Sequence, residues 1–117
     1  MIALGVTSVL AFVIGWLTLT PSTPTPPVIA LTDKAYHFIA FAGLVLPVAL
    51  LSVNSLAWLI PVAFVYGGLI ELLQPHVGRS GEMADLAANA LGLAAGVAVA
   101  WCSRMVRRKY IEARERA

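Results

Sequence analysis

The sequence predicts an all-α membrane protein, a bundle of four transmembrane helices followed by a basic cytoplasmic C-terminal helix. Composition favours this class, because 60% of the residues are hydrophobic, 12% are charged and the mean hydropathy is +0.86. The apolar residues also gather in long runs, and a run of about 18 or more is typical of a membrane-spanning helix. Backbone groups in lipid need internal hydrogen-bond partners, so these runs are expected to be helical.

Four apolar runs are predicted to cross the membrane: Ile2–Leu19, Ala35–Val53, Ser55–Leu73 and Leu86–Cys102. At about 1.5 Å of rise per residue, each covers roughly 26–28 Å, close to the ~30 Å hydrocarbon core. The first run lacks a basic leading segment and a small-residue cleavage site, so we expect a retained helix rather than a signal peptide. We assign residues 1–103 to one transmembrane domain and residues 104–117 to a basic tail.

The connectors between the runs differ in length and character. Four prolines fall in seven residues from Pro21 to Pro27, which favours extended backbone after the first run. Thr32 or Asp33 is then expected to cap the second helix. A tight turn around Asn54 and Ser55 joins the second and third runs, which indicates an antiparallel hairpin.

The fourth run carries small residues at a spacing of four: Ala88, Gly92, Gly96 and Ala100. Such a stripe allows a second helix to approach closely. Two interpretations remain open, namely packing within the bundle and a homo-oligomer that forms through Gly92 and Gly96.

Positive charge is concentrated after the fourth run. Six of the eight Lys and Arg residues lie there: Arg104, Arg107, Arg108, Lys109, Arg114 and Arg116. The positive-inside rule therefore places the C-terminus, and after four crossings also the N-terminus, in the cytoplasm. The tail is expected to lie against anionic lipids, with a partner-binding role as the alternative.

The polar residues crowd at the junctions of the apolar runs. Antiparallel threading would bring these junctions to one membrane face, opposite the basic tail. The residues are Asp33, Lys34 and His37 before the second run, Glu71 and Gln74 after the third, Arg79 in the loop, and Asp85 and Asn89 before the fourth.

Their spacing predicts two levels of depth. Four helical residues span about 6 Å, so one level should lie about one turn below the outer surface. This deeper level holds His37, Glu71 and Asn89. The second level, at the rim, holds Asp33, Gln74 and Asp85, with Lys34 and Arg79 nearby.

Ionisable groups inside a membrane are costly and usually mark a functional site. We interpret His37 and Glu71 as tentative catalytic acid/base residues, because a carboxylate can orient an imidazole for proton transfer. Lys34 and Arg79 would hold an anionic group. The substrate-binding set is completed by Asp33, Gln74, Asp85 and Asn89. The alternative is a polar clamp, in which the same residues cap and cross-link the helices.

Other chemistries have little support in the sequence. His37, His76, Glu71 and Asp85 offer metal ligands, but no HExxH or paired His/Cys spacing is present, so we assign no metal and no cofactor. No serine elbow, phosphate loop or nucleic-acid signature occurs, so we expect no nucleic-acid partner. Cys102 is the only cysteine, which excludes an intrachain disulfide.

Three segments resemble the VanZ-like family of small bacterial membrane proteins. They are Asp33-Lys34-Ala35-Tyr36-His37-Phe38, then Glu71-Leu72-Leu73-Gln74, then Arg79, Asp85, Asn89 and Gly92 in RSGEMADLAANALG. The resemblance covers roughly Leu31 to Trp101. It implies a multi-helix inner-membrane protein, and the namesake of the family is linked to resistance to the glycopeptide teicoplanin.

Together these observations predict an outward-opening polar pocket that binds, and in one interpretation modifies, a lipid-linked or other cell-envelope head group. Membrane lipids are the expected partners. The alternative function is a non-enzymatic accessory or scaffold protein whose polar residues only clamp the helices. A third, a glycopeptide-tolerance factor, rests on the family resemblance alone.

Overall fold

The chain forms four long helices. A computed structural model describes the backbone of residues 1–21 and 27–116, and the side chains of residues 1–21 and 32–116. Within these ranges the helices are α1 (Ile2–Leu19), α2 (Pro27–Leu51), α3 (Leu56–Leu73) and α4 (Met83–Glu115), with 3-10 turns at Val53–Ser55 and Gln74–Val77. Each of the four is long and apolar enough to cross a membrane, which confirms the predicted fold class.

The second helix begins earlier than predicted. α2 starts at Pro27 rather than Ala35, so Thr32 and Asp33 lie inside it, and the prediction that one of them caps the helix is wrong. Proline is tolerated in the first turn of a helix, where its missing N–H would have no intrahelical partner. Most of the segment predicted to be extended, residues 22–26, lies outside the described residues.

The fourth helix continues without a break from the apolar run into the basic tail. α4 reaches Glu115, which confirms the predicted helical tail and leaves no structural boundary between residues 103 and 104. Its 33 residues extend about 50 Å at ~1.5 Å each, well beyond the thickness of a hydrocarbon core. In the tail, Arg108 Nε lies 2.8 Å from Glu112 Oε1, four residues along the helix.

α2 packs more extensively against α4 than against any other helix. The small-residue stripe of α4 lies in this interface, because Gly92 and Gly96 are both buried. A Cβ atom on Gly92 would collide with the carbonyl oxygen of Phe38, and one on Gly96 would lie 2.5 Å from the carbonyl oxygen of Ala42. Packing within the bundle therefore accounts for the stripe, and association of copies stays a prediction.

α1 and α3 are attached to this central pair by hydrogen bonds between helices. The Thr7 hydroxyl on α1 donates to the carbonyl oxygen of Leu44 on α2 at 3.1 Å, in a buried position. The Tyr66 hydroxyl on α3 donates to the carbonyl oxygen of Ala11 on α1 at 2.5 Å. The aromatic ring of Phe41, which is fully buried, lies 6.4 Å from that of Tyr66.

Large apolar side chains cover the outside of the bundle. Phe12, Leu72 and Leu91 are 71%, 70% and 64% exposed, far more than apolar residues of such size in a soluble core. A surface of this kind suits lipid rather than water, in agreement with the predicted membrane location.

The basic tail leaves the bundle at the end opposite the polar junctions. The Arg104 guanidinium donates to the carbonyl oxygen of Ala49, in the last turn of α2. Cations are favourable there because the unpaired carbonyl groups give a helix C-terminus partial negative charge. Asp85 lies in the first turn of α4, so the whole membrane run of that helix separates the two charged regions.

Candidate functional site

The polar residues predicted to converge do so at one end of the bundle. The beginning of α4 lies against the N-terminal half of α2, and the loop after α3 closes over both. Contacts among them link Asp33, Lys34, His37, Glu71, Arg79, Asp85 and Asn89, which together with Gln74 we call the polar cluster.

His37 is at the centre of the polar cluster. Its side chain is 2% exposed, and its Nδ1 lies 3.0 Å from Asn89 Oδ1 and 3.5 Å from Glu71 Oε1. These distances confirm that His37, Glu71 and Asn89, from three different helices, share one level. A carboxylate beside an imidazole is the arrangement required for proton transfer, although the catalytic roles of His37 and Glu71 stay predictions.

Two ion pairs flank the imidazole. Lys34 Nζ lies 2.7 Å from Glu82 Oε2 and 3.6 Å from Asp85 Oδ1. Arg79 Nη2 lies 3.1 Å from Asp33 Oδ1. The two cations predicted to hold an anionic group are therefore already partnered by carboxylates, with which any anionic ligand has to compete.

The loop between α3 and α4 folds back over the end of α3. The Glu82 amide donates to Glu71 Oε2 at 3.1 Å, and the Arg79 amide donates to the carbonyl oxygen of Gln74 at 3.0 Å. Gly81 contacts the backbone carbonyl of Glu71 so closely that any Cβ would collide with it. This path carries Arg79 and Glu82 to their partners on α2.

The rim level is more buried than predicted. Gln74 and Asp85 are only 1% and 2% exposed. The Gln74 amide donates to the carbonyl oxygen of Thr18 at 3.4 Å, a long contact that connects the end of α3 to α1. Asp33, Lys34 and Arg79 are the most exposed side chains of the predicted set at this end, at 33%, 30% and 21%.

Several buried polar atoms of the polar cluster have no hydrogen-bond partner within the part of the chain that the structure describes. They are His37 Nε2, Glu71 Oε1, Gln74 Oε1, Asp85 Oδ1 and Asn89 Nδ2. Buried polar atoms without a partner are costly and uncommon in folded proteins. Four of the five belong to His37 and to residues beside it, namely Glu71, Asp85 and Asn89, so they favour a site for a further molecule or ion.

Glu82 is the site residue that sequence reasoning missed. It stands just before α4, three residues before Asp85, in a loop where an acidic residue has no distinctive spacing. The only available signal was its charge, complementary to Lys34. The hydrogen bond from Lys34, together with the positive charge of that side chain, holds the pKa of Glu82 below its usual value.

A cavity of about 400 Å³ opens beside the polar cluster, between α1 and α2. One end is polar and is formed by Thr18, Asp33, His37 and Arg79. The remaining walls are mainly apolar: Ile14, Leu17, Tyr36, Ile39, Ala40 and Phe41. A second depression, of about 630 Å³ between α1 and α3, lacks charged groups in its lining and therefore has less to offer as a specific site.

The ligand set considered for a metal from the sequence is not the one that the fold assembles. His76 is exposed and forms no part of the group of potential ligands found among the described residues. Asp33, His37 and Asp85 instead present ligand atoms that all lie within 4.8 Å of one another. Glu71 lies on the Nδ1 side of the imidazole.

Comparison with known proteins gives one result. The chain matches the model of the VanZ/LLP1 family over residues 6–106. No curated protein and no solved structure matches it. The matched region contains the first apolar run from Val6 onward, the other three runs in full and every residue of the polar cluster, so the chain belongs to the VanZ/LLP1 family.

Proposed function

We propose that this membrane protein binds the polar head group of a lipid-linked or other cell-envelope amphiphile in the cavity between α1 and α2. The observation that carries the proposal is the division of that cavity into a charged end and apolar walls. Its volume of about 400 Å³ lies in the range of small-molecule sites, which combine mostly apolar walls with a few polar groups.

The cavity lining matches the two parts of an amphiphile. Asp33, His37 and Arg79 would face the head group. Leu17 and Ile39, which are 63% and 64% exposed and also line the cavity, would contact the acyl chain where it enters from the membrane. An amphiphile could therefore reach the site sideways from the lipid.

The charged side chains of the cavity suit a head group that contains both a negatively charged group and a hydrogen-bond donor or cation. Arg79 is the cation nearest to the cavity, and contact with a phosphate would require it to share or exchange its 3.1 Å contact with Asp33. Asp33 would then be free to accept from a hydroxyl or amine. If the protein also modifies the head group, His37 and Glu71 are the acid/base candidates, since both lie next to the charged end.

The separation of charge along α4 supports the proposed membrane orientation. The basic tail and the polar cluster lie at opposite ends of α4. The positive-inside rule favours a cytoplasmic tail in the inner membrane, which would place the cavity at the extracytoplasmic face. Head groups of envelope lipids are available on that side.

Lipid analysis of gently extracted protein tests this proposal. Ile39→Trp should fill the mouth of the cavity, whereas Leu91→Trp changes an equally exposed residue on α4 that does not line it. Mass spectrometry should find a defined amphiphile that copurifies with the wild type and with Leu91→Trp, and several-fold less of it with Ile39→Trp. Equal lipid content in the three proteins would contradict the proposal.

A second candidate, a non-enzymatic accessory protein, is favoured by the ion pairs that the polar cluster makes between α2 and the α3–α4 loop. The pairs Lys34–Glu82 and Arg79–Asp33 join the α3–α4 loop to α2, as a clamp would. This function predicts that Glu71→Gln keeps cellular function while Gly92→Leu abolishes it. The head-group proposal with acid/base chemistry predicts that Glu71→Gln abolishes it.

A further inference from the structure

The two ring nitrogens of His37 have different surroundings. Nδ1 lies 3.0 Å from Asn89 Oδ1 and 3.5 Å from Glu71 Oε1, and both of these oxygens are acceptors. Nε2 is buried and has no hydrogen-bond partner among the described residues.

A histidine that ligates a metal has the same arrangement, with acceptors beside one ring nitrogen and no hydrogen-bond partner on the other. Metal-binding histidines almost always donate their other N–H to a carbonyl, a carboxylate or water, which sets the tautomer and the ring orientation. Asn89 and Glu71 supply such acceptors from α4 and α3. Asn89 is itself fully buried, so the imidazole is held on its Nδ1 side by a rigid partner.

Two carboxylates complete the set of potential ligands. Ligand atoms of Asp33, His37 and Asp85 all lie within 4.8 Å of one another. Metal–ligand distances of about 2.0–2.2 Å would need these atoms to close by roughly 1 Å, which side-chain rotation can supply. Asp85 Oδ1 is also buried and has no hydrogen-bond partner in the described part of the chain, and the ammonium group of Lys34 lies 3.6 Å from it.

The charge balance of the region points to the same conclusion. In the described structure the carboxylates of Asp33, Glu71, Glu82 and Asp85 surround this point, but only the cations of Lys34 and Arg79 accompany them. Carboxyl groups therefore outnumber cationic side chains by four to two around this point. Uncompensated negative charge is costly in a buried site, and a bound divalent cation would reduce it.

We propose that Asp33, His37 and Asp85 form a binding site for a divalent transition-metal ion. One imidazole nitrogen and two carboxylates suit zinc or manganese better than magnesium or calcium, which prefer oxygen ligands alone. No ligand spacing in the sequence predicts this site, because its ligands come from two helices. The proposal does not depend on head-group binding, although a metal beside the cavity would attract a phosphate.

Metal binding by the full chain tests the inference. The protein would be purified in detergent with a histidine-free affinity tag, stripped with a chelator and dialysed against zinc chloride or manganese chloride without added lipid. Elemental analysis should find one ion per chain, and the ion should raise the melting temperature. Because the assay contains no amphiphile, its result is separate from that of the lipid analysis.

Substitutions distinguish this site from adventitious binding. His37→Gln and Asp33→Asn should weaken binding at least about tenfold, while His76→Gln, which changes the exposed histidine, should bind like the wild type. If His37→Gln fails to fold, Asp33→Asn still tests the site. The Asp33 side chain is one-third exposed, so the fold should tolerate this substitution. Wild-type protein that retains neither ion, or equal weakening in His76→Gln, would overturn the proposal.

Discussion

Gly92 on α4 lies directly against the backbone carbonyl of Phe38 on α2. Phe38 follows His37 in the sequence, and Gly92 stands three residues after Asn89, so this close approach of two backbones lies beside the His37–Asn89 contact of 3.0 Å. A larger residue at position 92 would push the helices apart at the level of the polar cluster. Helix packing and site geometry therefore depend on the same contact.

We expect Gly92→Ala to destabilise the protein by about 1–3 kcal/mol, because the added methyl group meets rigid backbone rather than a movable side chain. Gly68→Ala is the matched control, since nothing lies within 4 Å of a Cβ at that position. Thermal unfolding in detergent would compare the two variants with the wild type. Equal melting temperatures for both variants would contradict the packing described for α2 and α4.

The Glu71 side chain should stabilise the α3–α4 loop by accepting a hydrogen bond, and its negative charge should not be needed for this. Its Oε2 accepts from the Glu82 amide at 3.1 Å, and the amide oxygen of Glu71→Gln can accept in the same way. Glu71→Ala removes the acceptor and should cost about 1–3 kcal/mol, the usual penalty for an unsatisfied buried group. Chemical or thermal unfolding should therefore rank Glu71→Gln near the wild type and Glu71→Ala below it; the reverse order would refute this role.

The ion pair of Lys34 with Glu82 should be visible in the titration of Glu82. Lys34 holds the pKa of Glu82 below its usual value, so the pair stabilises the fold above the unfolded-state pKa and this contribution is lost as pH falls through the folded-state pKa. Lys34→Met should raise the pKa of Glu82 towards its usual value and remove most of this pH-dependent contribution to stability. Carboxyl-carbon NMR in detergent micelles would measure the shift.

Arg79→Met is the control for that titration, because Arg79 pairs with Asp33 and not with Glu82. The pKa of Glu82 should stay low in this variant. If both substitutions raised it equally, general loss of positive charge rather than the Lys34 contact would be responsible.

Membrane topology is testable by cysteine labelling. In a Cys102→Ser background, Arg79→Cys and Lys34→Cys should react with an impermeant reagent added outside intact cells, whereas Lys109→Cys should react only after the cells are opened. The reason is that the polar cluster and the basic tail lie at opposite ends of α4. Reaction of positions 34 and 79 from opposite sides would contradict the shared face.

Much of the fold was predictable because a membrane-spanning helix can be recognised from the length and polarity of a single stretch of sequence. The first and third runs, predicted at Ile2–Leu19 and Ser55–Leu73, agree with α1 and α3 to within one residue. The start of α2 was not predictable in this way. Proline-rich sequence favours extended backbone, yet Pro27 opens a helix, since the first turn is the one place where proline does no harm.

The membership of the polar cluster was predictable, but its pairing was not. Alternating helix direction is enough to gather the junctions at one end, and shared depth predicted that His37 would meet Glu71 and Asn89. Which cation meets which carboxylate depends on the path of the α3–α4 loop. That path brings Glu82, a residue with no distinctive spacing, to Lys34 at 2.7 Å.

The sequence by itself determined the class of the protein, the number of its helices and the polar residues that share one end, because apolar length and chain direction follow from residue order. The tertiary structure alone decided that the glycine stripe faces α2, that both cations are already paired, and that His37 lies beside the carboxylates of Asp33 and Asp85. These relationships depend on how each helix is rotated about its axis, and rotation is set by packing between helices rather than by the pattern along any one of them.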